Sequence, residues 1–242
     1  MNRSVTSLSK ASKALPLLLA CHLMLLPASC TQDTYEKGEG TYSLMRGDFA
    51  EGYVNTDRAM ISITTDDGDL LPLKEPYKDQ WITSADTTYR CMLYYNKVEG
   101  SNGQPMADVI SMGPVPCPSI RRMADMRDEF RTDPVKFESA WMSRSMRYLN
   151  MSIQVKTGIT DDTAAVQRLS IVADTLIRYA DHSSSLYLLL HHNQGGVPEY
   201  YSTTAYVSLP VDSIPADTVH LTINSYDGLV HKQFVMHRPA SK

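Results

Sequence analysis

Several stretches of this 242-residue chain carry side chains whose types and spacing can do chemistry. Leu26-Pro27-Ala28-Ser29-Cys30 sets a thiol directly after an apolar run and small residues, the layout in which an exported cysteine accepts lipid through a thioether. Ordinary cleavage at an A-x-A-like site is the alternative, left open by Pro27, where an aliphatic residue is more usual. His191-His192 offers two imidazoles, but neighbouring residues of a strand point to opposite faces and cannot reach one metal. One ring is expected to cap the stripe Leu186-Leu188-Leu190 and the other to meet solvent. Asp66-Asp67-Gly68-Asp69 has the oxygen density of a calcium loop without the ligand ladder that ends in Glu, and predicts a hairpin turn. Asp161-Asp162 predicts a solvated loop rather than a catalytic carboxylate pair.

Cys91 and Cys117 are the thiols left once Cys21 departs with the export segment and Cys30 takes lipid. They stand either as a disulfide between neighbouring strands or as two small buried hydrophobes. Tyrosine is abundant, 14 in all, and Tyr94-Tyr95 and Tyr200-Tyr201 are candidate anchors for a sugar, a peptide or a protein partner, since a phenol offers apolar area with a polar tip. Among the loops, Gly195 to Tyr201 is the preferred patch, because recognition concentrates on loops at sandwich ends. No G-x-S-x-G elbow, H-E-x-x-H helix or glycine-rich phosphate loop occurs. A non-enzymatic protein is expected, with no catalytic residue, no metal site and no cofactor.

The elements that must hold these residues follow from the chain in order. Residues 1–29 are basic at Arg3, Lys10 and Lys13, then apolar from Ala14 to Leu26, as a signal peptide is, and too short in that apolar part for the ~20 residues of a membrane span. Their removal takes away three basic residues and no acidic one, moving the net charge from −4 to −7. A chain this acidic has no stripe for tracking phosphates, so nucleic acid is excluded as a partner and the membrane is met through the lipid alone. Residues 30–40 form a polar, glycine-punctuated tether.

Roughly 210 residues remain, enough for two domains of about 100 each. Within 41–118 the pattern predicts strands at 42–55, 59–65 and 69–73, a short helix over 76–85, and strands at 87–98 and 107–117. Three strands, a helix and two strands is the order of a five-stranded OB-type barrel. Pro114, Pro116 and Pro118 end it, because alternate prolines cannot continue an interior strand. A linker is expected over 119–133. Residues 134–242 then alternate again, most clearly in Leu149 to Lys156, whose even positions are polar and are expected to face water. About seven such segments predict an antiparallel, immunoglobulin-like β-sandwich, making the fold all-β.

Asp133-Pro134-Val135 running through Trp141 to Arg147-Tyr148-Leu149-Asn150-Met151, Leu186 to His192, and Tyr201 to Pro210, together with the lipobox at Cys30, resemble the NigD-like lipoproteins of gut and oral anaerobes. The resemblance implies an OB-type barrel followed by an immunoglobulin-like sandwich, and an immunity role of the kind proposed for the bacteriocin-associated member that gives the family its name. It brings no catalytic residues. The chain departs from the pattern at His191-His192-Asn193-Gln194-Gly195-Gly196, where many relatives carry a single His, a polar loop and an Asp. Expected on these grounds is a lipid-anchored envelope protein serving as a binding or assembly module, with a glycan- or peptide-binding accessory lipoprotein as the alternative and a hydrolase as the remote one. Only Asp33 and Glu36 lie between Thr31 and Lys37, too few acids for the cluster that accompanies surface export. The periplasmic face of the outer membrane is therefore favoured over the cell surface.

Overall fold

The computed structural model describes residues 40, 42–126 and 129–236. The expected signal peptide, Cys30 and the expected tether up to residue 39 lie outside them. The first module is built from β1 (Arg46–Val54), β2 (Met60–Thr65), β3 (Leu70–Tyr77), β4 (Thr87–Glu99) and β5 (Pro105–Pro114). They close into a barrel in the order β1-β2-β3-β5-β4, with β4 returning along the whole of β1 and β3 meeting β5 in parallel at Leu73 and Ala107. This is the expected OB-type strand order. Closure follows from alternation: Cys91, Leu93 and Tyr95 of β4 turn inward to Ala50, Val54, Ile63 and Leu71, while Arg90 and Tyr94 turn outward. At Gly52 a Cβ would lie 2.1 Å from Met60 Sδ, so glycine is what lets Met60 fill the barrel beside β1.

Asp66-Asp67-Gly68-Asp69 does form the β2–β3 hairpin turn, with Gly68 at φ +93°. The helix expected over 76–85 does not form. β3 runs on to Tyr77, and the backbone N–H groups of Thr83 and Ser84 donate to Tyr89 Oη at 3.0 and 2.7 Å instead of to carbonyls four residues back. The loop drops Ile82 into the barrel core. The Thr83 hydroxyl, joined by the two backbone N–H donors on the same phenol oxygen, favours its anion and lowers the Tyr89 pKa to about 8.

The second module is a sandwich of two sheets. Five strands run β13 (Gly228–Val235), β12 (Thr218–Ser225), β10 (Ser184–Asn193), β9 (Arg168–Arg178) and β6 (Ile120–Arg122); three run β11 (Tyr201–Pro210), β8 (Tyr148–Thr157) and β7 (Lys136–Met142). Leu149, Met151, Ile153, Leu186, Leu188, Leu190, Leu221 and Ile223 fill the space between. Two parallel pairs, β10 with β12 and β6 with β9, depart from the antiparallel arrangement expected. The expected linker is also structured in part: Ile120–Arg122 is an edge strand of the five-stranded sheet, and a one-turn helix α1 (Met123–Met126) buries Met126. Beyond Leu189, where β12 leaves β10, Thr132 bridges His192 and fills the vacated edge.

The even positions of β8 do not all face water. Asn150 and Ser152 are buried, because the barrel covers the outer face of the three-stranded sheet at Asn150 and Glu138 accepts from Ser152 Oγ at 2.6 Å.

Candidate functional site

The covered face joins the two modules through charge as well as apolar area. Glu51 and Arg90 are opposite each other on the outside of β1 and β4, and Asp66 projects from the adjoining hairpin turn. Arg90 grips Asp66 with two bonds of 2.7 Å each and donates to Ser208 Oγ at 3.1 Å and Asn150 Oδ1 at 3.0 Å. Asn150 returns a bond to Asp66 Oδ2 at 2.8 Å, and Ser208 donates to Asn150 Oδ1 at 2.7 Å. The guanidinium lies 3.9 Å from the ring centre of Tyr148, whose hydroxyl donates to Glu51, and Arg147 reaches the same carboxylate at 2.5 Å. Phe49 completes the seam by meeting Trp141 and Tyr206 edge-on, at 5.5 and 5.2 Å between ring centres. A planar guanidinium with its donors matched by acceptors from both modules fixes orientation as a flexible ammonium would not. This hub was missed in the sequence, where Asn150 and Ser208 read as ordinary polar positions of alternating strands.

The residues singled out in the sequence are dispersed. Tyr95 is fully buried in the barrel and donates to Asp48 Oδ2 at 2.8 Å, with burial pushing its pKa up, so it leaves the candidate patch. Tyr94 is exposed on the barrel, its ring laid over Gly47. Tyr200 and Tyr201 are exposed at the start of β11, five positions and more from Tyr206, or roughly 17 Å at the ~3.4 Å rise of a strand. They stay together on the sandwich, whereas Tyr94 is on the barrel. Cys91 and Cys117 are free. The ladder pairs Cys91 with Pro114, leaving Cys117 three residues past the paired strand, where its Sγ contacts Val115 O. Cys91 is inert in the core, its pKa pushed up to about 12 by burial. Cys30, the candidate lipidation residue, lies outside the described residues.

Both histidines of β10 are buried, contrary to the expectation that one meets solvent. His192 Nδ1 is 3.0 Å from Asp133 O and its Nε2 3.0 Å from Gln167 Nε2, while His191 Nδ1 is 3.1 Å from Arg131 N and 3.0 Å from Arg131 O. The segment 130–133, laid along the vacated edge of β10, is what covers them. His191 lines a cleft of about 700 Å³ on the outer face of the five-stranded sheet, together with Arg121, Arg131 and Arg168. Among the described residues no group of three or more His, Cys, Asp or Glu is placed to hold a metal ion. Nor is any helix of those residues long and apolar enough to cross a membrane.

A closed five-stranded barrel, fused through a buried ionic hub to a sandwich of five and three strands, defines a two-module, all-β class of protein. Residues 119–235 match the NigD-like C-terminal beta sandwich domain, so the second module is a domain of that kind. Solved structures share the fold. A NigD-like immunity protein from Bacteroides caccae is 24% identical, with 79% of this chain and 98% of that one covered at a TM-score of 0.62. A candidate toxin-related protein from Parabacteroides distasonis is 16% identical, with 78% and 92% covered at 0.57. A candidate lipoprotein from Bacteroides fragilis is 10% identical, with 81% and 100% covered at 0.54. No curated protein matches the chain.

Proposed function

We propose that this protein is a lipid-anchored, non-enzymatic envelope protein that acts as a binding module of the immunity type, held through Cys30 at the periplasmic face of the outer membrane. The NigD-like sandwich over residues 119–235 carries the reading, and the immunity protein of the same fold from Bacteroides caccae supports it. The lipoprotein candidate of the same fold and the Leu26–Cys30 sequence favour the anchor. The hub around Arg90 presents barrel and sandwich to a partner as one preformed surface, which lowers the entropy lost on binding.

The test is survival. Cells of a bacteriocin-sensitive strain that express the full chain are expected to resist the bacteriocin of a neighbouring gene cluster, whereas cells expressing Cys30→Ala lose both an alkyne-palmitate label and the resistance. Full sensitivity despite correct lipidation would overturn the immunity role; a labelled Cys30→Ala protein would overturn the anchor. The exposed pair Tyr200 and Tyr201 favours a second reading, a glycan- or peptide-binding accessory lipoprotein. A glycan array that lights up with the wild-type protein and darkens with Tyr200→Ala selects it.

A further inference from the structure

The cleft at His191 is a positive site on a negative protein. Strand register explains how it forms. Ser170 of β9 is opposite His191 of β10, and Arg168 is opposite Asn193, so these four side chains share one face while Leu169, Ile171 and Leu190 turn to the core. On β6 Ile120 packs inward, which turns Arg121 out to the same face. Arg131 arrives from the other side, carried by the segment that bridges His192. Among the described residues three guanidiniums thus converge on about 700 Å³, accompanied in the lining by one carboxylate, Glu129, which is 3.9 Å from Arg121.

The neutral groups are also disposed for an acceptor. Ser170 Oγ is buried in the cleft lining with no hydrogen-bond partner among the described residues. His191 uses Nδ1 on the Arg131 backbone and leaves Nε2 without a partner among those residues. A buried hydroxyl without a partner is costly unless a ligand or water completes it. Guanidinium forks match the paired oxygens of carboxylate, sulfate and phosphate, and a concave wall concentrates their field.

We propose that this cleft binds an oxyanion carried by a small ligand, with Arg121 and Arg168 gripping the charge and Ser170 donating its hydroxyl. The site is independent of the immunity role: it would stand if that role failed, and fall without affecting it. The experiment titrates the soluble full-length chain with Cys30→Ser by calorimetry at constant ionic strength, using sodium sulfate, sodium phosphate and sodium galacturonate against a chloride reference. Saturable binding of at least one is expected, with sulfate or phosphate pointing to a free inorganic anion and galacturonate alone to an acidic sugar. Arg168→Gln should weaken it at least tenfold, Arg121→Gln/Arg168→Gln should abolish it, and Arg144→Gln, in the β7–β8 connection facing Asp67, should leave it unchanged. Circular dichroism establishes that each variant is folded. No saturable binding of any of the three, or binding that Arg168→Gln leaves intact, would overturn the proposal.

Discussion

At the scale of single residues, His191 shows how burial turns a titratable group into a pH-sensitive contributor to stability. Burial lowers its pKa below the ordinary 6.5, helped by Arg121 and His192 and opposed by the Arg131 backbone and by Asp133. The unfolded chain therefore takes up a proton near pH 6.5, while the folded chain does so only at lower pH. Stability from the neutral ring is complete above pH 6.5, declines as pH falls below it, and levels off beneath the folded pKa. In chloride buffer, cooling of the melting temperature between pH 7.5 and pH 5.5 should be larger for wild type than for His191→Gln. Equal declines would show that the ring titrates in the fold as it does in the unfolded chain. The sequence named this residue but misjudged its surroundings, because the segment that covers it comes from 60 positions earlier.

Among elements, those legible in the sequence are the ones with long alternation. β4 repeats apolar residues at every second position and is read from the sequence as 87–98, within one residue of its extent, and the stripe Leu186-Leu188-Leu190 marks β10. β6 has three residues, Ile-Arg-Arg, and no period can be read from three. The failed helix over 76–85 was decided by a tyrosine outside that segment, and the wet face assigned to β8 was covered at Asn150 by the other module and at Ser152 by Glu138 of β7; neither cause is local. The same distinction governs the loop from Gly195 to Tyr200. Gly195 has φ +58° and a Cβ there would sit 2.0 Å from Val166 O, whereas Gly196, at φ +79°, has only the Ala165 side chain at 3.8 Å. Gly196→Ala should cost about 1 kcal/mol through the left-handed backbone alone, and Gly195→Ala distinctly more, since a backbone carbonyl must move as well. Urea unfolding of the two variants checks the order, and equal losses would mean that the two loops separate freely.

For the whole molecule the question is whether two modules behave as one. The seam depends on Arg90, whose side chain is 3% exposed and whose partners come from the barrel at Asp66 and the sandwich at Asn150 and Ser208. Replacing it leaves the Asp66 carboxylate largely buried beside Asn150 without its cation, an arrangement that costs about 3–5 kcal/mol where buried pairs are broken from one side. The two tryptophans fall one to each module, Trp81 in the barrel and Trp141 on the sandwich, so single-tryptophan variants report each separately. In otherwise wild-type protein the two denaturant midpoints should coincide, as for a single cooperative unit. Arg90→Leu should lower both and draw them apart, because the modules then keep their own cores but lose the hub that links them. The double variant Asp66→Asn/Arg90→Leu should recover part of the loss, since it removes the stranded charge along with its partner. Midpoints already separate in the parent would show that the two modules unfold independently, and an Arg90→Leu protein as stable as the parent would show that the seam is held by the aromatic contact of Phe49 with Trp141 and Tyr206 rather than by the buried charge.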